Sequence, residues 1–252
     1  MKLNTIFLTL ILTFFAACPS KAWKVFENVH MKARLGYSIG GTTPIGLPST
    51  IRGIESFRLT PNFLVGFDAM RPVSSRFGVQ AGLHLEIKDM DGEVTTKGYR
   101  MKVKMDDDEL EGLYTGHVRQ KVRQSMFTIP VLATYELSRK VQLKAGPYLS
   151  LLFHKRFYGY AFDGYLRKDD PTGSKVIMGD KEGEWATYDF DDEMRICQFG
   201  MMAGVDWNFH RQFGMSADLS WGLTGIHHSD FKTVEQTLFP IYGTIGIFYK
   251  IK

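Results

Sequence analysis

Several short stretches of this chain carry residue types that could do chemistry. Gly36-Tyr37-Ser38-Ile39-Gly40 has the G-x-S-x-G spacing of a nucleophile elbow, in which a strained strand-to-helix turn exposes a serine hydroxyl. His227-His228-Ser229-Asp230 brings together imidazoles and a carboxylate that suit a first-row metal or could supply a base. Two acidic runs, Asp106-Asp107-Asp108-Glu109 with Glu111 and Asp189 with Asp191-Asp192-Glu193, offer hard oxygen ligands of the kind calcium takes. Asp89-Met90-Asp91-Gly92 opens like a calcium loop but lacks the later ligand positions, so its Asp and Gly read as turn residues. A basic series, Lys102, Lys104, Arg119, Lys121 and Arg123 with His117, favours anionic ligands such as lipopolysaccharide phosphates.

Each of these chemistries needs an element to position it. No helical pattern follows Ser38, and Gly41-Thr42-Thr43-Pro44 reads as a loop, so Ser38 is more economically a small residue on a strand. The His and acidic clusters fall in long connections, where solvated loop charge is the simpler reading. Enzymes of the outer leaflet that modify lipid A place Ser and His together near the outer strand ends, and no such pair stands out here. The sequence therefore assigns no catalytic residue, no cofactor and no metal ligand, and the chain reads as non-enzymatic.

The elements themselves follow from period two, in which every second residue is apolar. From Cys197 to Phe209 one face reads Cys197, Phe199, Met201, Ala203, Val205, Trp207, Phe209 and the other Gln198, Gly200, Met202, Gly204, Asp206, Asn208. Residues 213 to 223 repeat this after the three-residue link His210-Arg211-Gln212, as a tight hairpin requires. The same alternation marks residues 31 to 40, 55 to 68, 77 to 88, 127 to 135, 141 to 153 and 240 to 251, giving eight segments. Connections near Met70 to Ser75, Ser138 to Lys140 and His210 to Gln212 are short, whereas Gly41 to Gly53, Asp89 to Gln124, His154 to Arg195 and Gly225 to Phe239 are long. The expectation is an all-β, eight-stranded antiparallel up-and-down transmembrane β-barrel with both termini in the periplasm.

The composition of the polar face sets the direction of the apolar one. That face holds many glycines, which suit a narrow lumen, and balanced charges: Arg34, Arg58, Lys88, Lys144 and Lys250 against Asp68, Glu86, Glu136, Asp206 and Asp218. A lumen-facing, salt-bridged network follows, because buried charges need partners. The apolar face then meets lipid, with strand-end aromatics such as Phe77, Tyr135, Trp207, Trp221 and Tyr249 as interfacial girdles. A secreted soluble barrel that carries a ligand, greasy inside, is the competing reading. Alternation continues into the second and third long connections, through Tyr99, Met101, Val103 and Met105 and through Tyr158, Tyr160 and Phe162, so strands are expected to project above the bilayer.

The amino terminus reads as targeting: Lys2, an apolar stretch from Ile6 to Ala17, and Ser20-Lys21-Ala22 as a small-x-small cleavage site. The organisation expected is a signal peptide at 1–22, a short periplasmic segment at 23–29 and the barrel at 30–252, in the outer membrane of a Gram-negative bacterium. Loss of Lys2 and Lys21 takes the formal charge of +4 to +2, too small for a nucleic-acid binder. It also leaves Cys197 as the one cysteine of two, so no internal disulfide holds the fold. With 44% hydrophobic residues, 23% charged and 25 Gly among 252, the composition excludes disordered and collagen-like classes.

Thr128-Ile129-Pro130-Val131-Leu132-Ala133-Thr134-Tyr135, Leu143-Lys144-Ala145-Gly146-Pro147-Tyr148 and Phe199-Gly200-Met201-Met202-Ala203-Gly204 resemble strands of the small outer-membrane β-barrel proteins of Bacteroidota, called porin-family or PorT-like. These are strand motifs, so the resemblance implies fold and location and carries no active site. It implies outer-membrane lipid and lipopolysaccharide as surroundings, with envelope proteins or a type IX secretion system as partners in an accessory role. The leading expectation is a structural or surface-binding barrel acting through its extracellular loops.

Overall fold

The structure is a computed structural model that describes residues 28–46, 48–105, 108–168, 171–181, 183–231 and 236–251. The expected signal peptide, most of the periplasmic segment, and Asp106 and Asp107 of the first acidic run lie outside them.

Twelve strands form one antiparallel sheet: β1 (His30–Pro44), β2 (Ile51–Arg58), β3 (Phe63–Pro72), β4 (Phe77–Ile87), β5 (Met90–Met105), β6 (Asp108–Glu136), β7 (Val141–Lys168), β8 (Lys175–Met178), β9 (Ala186–Asp189), β10 (Cys197–Trp207), β11 (Phe213–Gly222) and β12 (Leu238–Lys250). Eight of them pair in the sequence β1–β3–β4–β6–β7–β10–β11–β12, and β12 pairs again with β1. The other four are strands that period two alone does not count. β5, β8 and β9 lie inside connections expected to be long loops, and β2 arises because the segment expected at 55–68 divides. Pro61 has no N–H to give a ladder, and its neighbours turn to other partners: the Thr60 hydroxyl donates to the Asp89 carbonyl at 2.9 Å, and the Asn62 amide oxygen accepts from the Asp89 N–H at 2.7 Å. Residues 51–58 then leave the wall and pair with β5.

In the wall, alternation places apolar residues outside. Leu35, Val65, Phe67, Leu85, Phe127, Ile129, Leu149, Phe199, Leu219 and Ile247 are exposed, while Lys32, Arg34, Asp68, Glu86, Lys144, Asp206 and Ser216 are buried. A continuous apolar girdle of this extent far exceeds what a water-soluble surface carries, and polar side chains buried behind it suit a barrel in lipid. The soluble reading requires the opposite arrangement.

β6 is 29 residues long and β7 28, roughly 95 Å of extended chain at about 3.3 Å per residue. About ten residues cross a bilayer, so both run far beyond it. Their upper halves join β2, β5, β8 and β9 in a head with its own apolar core: Met101, Val103, Tyr114, Val118, Val122, Phe157, Ala161, Leu166, Met178 and Tyr188 are buried in one cluster, together with Met194, Ile226 and Leu238. Tyr99 and Met105 pack against this cluster, as the alternation continuing beyond the third segment predicts.

The pleat of β6 runs through this boundary unbroken, with even-numbered residues inward from end to end. Leu110, Tyr114, Val118, Val122 and Met126 are its inward residues in the head, and Thr128 and Thr134 are among those in the wall. Outward, Arg119, Lys121 and Arg123 give way to Phe127, Ile129 and Val131. β7 meets the same level with a bulge. Ser125 pairs with His154 and Met126 with Leu152, so Phe153 is the extra residue, and Phe153 and His154 are both exposed. A second irregularity faces Gly116, where Asp163 takes a positive φ of 46°.

Candidate functional site

Two groups of functional side chains result, one inside the wall and one on the outside of the head. Inside, β1 supplies Lys32 and Arg34, β3 Asp68, β4 His84 and Glu86, β7 Lys144, β10 Asp206 and β11 Asp218, each on the inward register of its strand, and Lys88, just past the end of β4, is buried with them. Arg34 donates through Nε to Asp68 at 2.9 Å and through its terminal nitrogens to Asp218 at 2.5 Å and Asp206 at 3.5 Å. Lys144 reaches Asp206 at 2.6 Å and Asp218 at 2.8 Å, and Lys32 reaches Asp206 at 2.9 Å. Nearer the head, Lys88 meets Glu86 at 2.7 Å, and Glu86 also accepts from the Thr128 hydroxyl at 2.9 Å. His84 links the two groups, 2.9 Å from Asp68 and 3.9 Å from Glu86. Among the described residues, four buried carboxylates therefore face four buried Lys and Arg side chains, the neutrality that a low-dielectric interior requires.

Seven of the ten charges expected in the lumen meet there: Arg34, Asp68, Glu86, Lys88, Lys144, Asp206 and Asp218. Arg58 does not, because β2 leaves the wall and holds it exposed. Glu136 and Lys250 stand at the end of the wall away from the head, lining an open mouth with Lys32, Arg139 and Arg211. Lys32 and His84 belong to the interior set although the sequence reading leaves them out. Lys32 shares the parity of Arg34 two residues on, a signal that was available.

The motifs that suggested enzyme chemistry take structural places. Ser38 of the G-x-S-x-G stretch is buried inside β1, its hydroxyl 2.7 Å from that of Thr244, and strand rather than helix follows it. His227 is buried against the rings of Phe157 and Phe231, and burial, with His228 beside it, lowers its pKa to about 4. Asp91 and Gly92, expected in a turn, are inside β5. Among the described residues no group of three or more His, Cys, Asp or Glu is placed to hold a metal ion.

The outer face of the head is a ladder of acid, base and aromatic groups across β5, β6 and β7. Arg119 donates to Asp91 at 3.1 Å and to the Tyr160 hydroxyl at 3.3 Å; burial works against its charge, yet these two partners hold the guanidinium more firmly protonated than usual. Arg123 lies 3.4 Å from Asp89, and Lys121 sits over the Tyr158 ring at 5.8 Å. Arg156 shares that ring and binds Asp191 at 2.9 Å, while Tyr160 stacks on Trp185 with centroids 4.4 Å apart. Lys102 pairs with Glu109 at 2.5 Å and Lys104 is exposed further up β5. Glu109 of the first acidic run thus pairs with Lys102, while Asp91 and Asp89 of the turn-like stretch pair with Arg119 and Arg123, so the basic series is more neutralised than the sequence suggests.

Comparison with known proteins adds a family. The outer membrane protein beta-barrel domain matches residues 20–228. No curated protein matches the chain. Among solved structures, Ail, the attachment invasion locus protein of Yersinia pestis, in complex with the heparin analogue sucrose octasulfate, is similar at 10% identity with a TM-score of 0.36, covering 88% of this chain and 99% of that one. Neisserial surface protein A is similar at 10% identity with a TM-score of 0.33, over 89% and 97%. OprG from Pseudomonas aeruginosa follows at 13% identity with a TM-score of 0.24, over 88% and 94%.

Proposed function

The chain belongs to the outer membrane protein beta-barrel domain family, and from that premise we propose a non-enzymatic outer-membrane barrel with an eight-stranded wall, which anchors a rigid head and uses the outer face of that head to contact lipopolysaccharide. The pairing circuit from β1 through β12 supports the eight-stranded wall, and eight strands enclose little more than their own side chains. The interior ion network and the apolar core above it fill that space, so the barrel passes no large solute.

The observation that carries the surface role is the reversal along β6. Arg119, Lys121 and Arg123 stand directly above Phe127, Ile129 and Val131 on one outward face, with Arg156 of β7 opposite Arg123. Cations at the upper edge of an apolar girdle sit at the height of outer-leaflet headgroups, where phosphates are the available anions. The test is lipopolysaccharide retained by purified protein after mild detergent extraction. Replacing Arg119, Lys121 and Arg123 together with Gln is expected to lower retention severalfold with the heat-modifiable gel migration unchanged. Equal retention by the triple variant would end this reading.

A further inference from the structure

Under β2 the head contains a cavity of about 150 Å³, walled by Ile54 and Phe57 of β2, Met90, Val94 and Met101 of β5, and Val118 of β6. Apolar cavities of this size accept a benzene-sized molecule. Two observations set this one apart from a packing defect. Ile54 and Phe57 are 64% and 46% exposed, so its β2 wall opens to the exterior. Gln120, on the lining, has its Nε2 buried with no hydrogen-bond partner, and a buried donor left unpaired is costly. The lining thus asks for a hydrocarbon body with one acceptor. Glu93, also on the lining, disfavours a ligand carrying negative charge. Leu59, 66% exposed, and Phe63 of β3 continue the apolar surface of β2 down to the girdle, giving a chain from the outer leaflet a route in.

We propose that this cavity binds an alkyl chain bearing a neutral hydrogen-bond acceptor, an acyl ester, supplied either by a membrane lipid or by a free ester. The methionines in its wall make it observable. Full-length protein carrying ¹³C-methyl methionine is placed in bilayer discs of ether-linked phospholipid, and methyl octanoate or octanoate is added. Met90 and Met101 methyl resonances are expected to move saturably with methyl octanoate, Met202 in the lumen to stay still, and octanoate to bind about tenfold more weakly or worse, a difference of ~1.4 kcal/mol. In discs of ester-linked phospholipid with nothing added, bound positions identify the lipid as the source, and free positions identify the free ester. Gln120→Leu is expected to weaken methyl octanoate about fivefold, the weight of one neutral hydrogen bond, and Val118→Phe to abolish the shifts by filling the space. Should Val118→Phe fail to fold, Gln120→Leu alone decides. Still resonances at Met90 and Met101 under every addition, equal movement at Met202, or unchanged affinity in Gln120→Leu would overturn the proposal.

Discussion

The wall and the head are built from the same strands under opposite rules. In the wall, outward Phe127, Ile129 and Val131 face lipid and the interior is ionic; in the head, outward Arg119, Lys121 and Arg123 make a polar face and the interior is Tyr114, Val118 and Val122. β6 passes from one regime to the other within four residues without changing its pleat. A strand is told by its period which residues share a face, but only its surroundings decide which face is apolar. One hydrogen-bonding frame can therefore serve two solvents.

The comparison breaks most visibly at Asp206. Asp206→Ala leaves Lys32, Arg34 and Lys144 short of a carboxylate that all three approach within 3.5 Å. Removing one partner from a buried ion group costs about 3–5 kcal/mol, so denaturant unfolding in lipid vesicles should show the wall itself weakened. Phe157→Ala removes a ring from the head core at a comparable cost of about 3–5 kcal/mol, but locally. Hydrogen exchange should rise in peptides spanning 108–124 and 154–168 and stay protected in 127–136. If 127–136 lost protection equally, wall and head would be one cooperative unit.

A matched pair of outward substitutions on β6 sharpens the boundary. Ile129→Lys puts a charge into the lipid girdle and should cost about 2–4 kcal/mol, whereas Lys121→Ile, higher on the same strand and the same parity, should alter folding stability by no more than about 0.5 kcal/mol. Equal penalties would move the membrane edge from where the residues put it. The smallest effect concerns pH. His227 is neutral in the folded head with a pKa lowered from 6.5 to about 4, so the unfolded chain binds its proton first. Its contribution to stability is complete above about pH 6.5 and is lost as pH falls toward 4. Melting of the wild type should fall between pH 7 and 4.5 by more than that of His227→Phe, which keeps the ring contacts with Phe157 and Phe231 and has nothing to protonate.

Much of the wall was legible because alternation, short turns and interior charge balance all report one geometry, and seven interior charges could be named from parity alone. Arg58 could not be placed, since its parity continues smoothly into β3 and only the backbone partners taken by Thr60 and Asn62 around Pro61 detach β2. The head was harder for a different reason. Alternation announced that strands continued, but the partners of Arg119, Arg123 and Arg156 lie on other strands, so a basic series in sequence becomes a ladder of mixed sign in space. The cavity under β2 had no sequence signal, because its walls come from residues that read individually as ordinary core.

The bulge at Phe153 gives β7 a property more familiar from genes than from sheets: it has a reading frame. Below it Ser150 and Leu152 point inward; above it Phe157, Gly159 and Ala161 do, so the extra residue shifts the phase of everything between it and Asp163. Deleting Phe153 would make the pairs Met126–Leu152 and Ser125–His154 consecutive in a regular ladder, so Phe157, Gly159 and Ala161 would keep their inward side, whereas deleting a residue from the regular run between the bulge and Asp163 would turn part of that run to the wrong face. Tolerance to deletion along this strand should therefore be greatest at the bulge and least within the regular runs on either side of it, whatever the tolerance of the same positions to substitution.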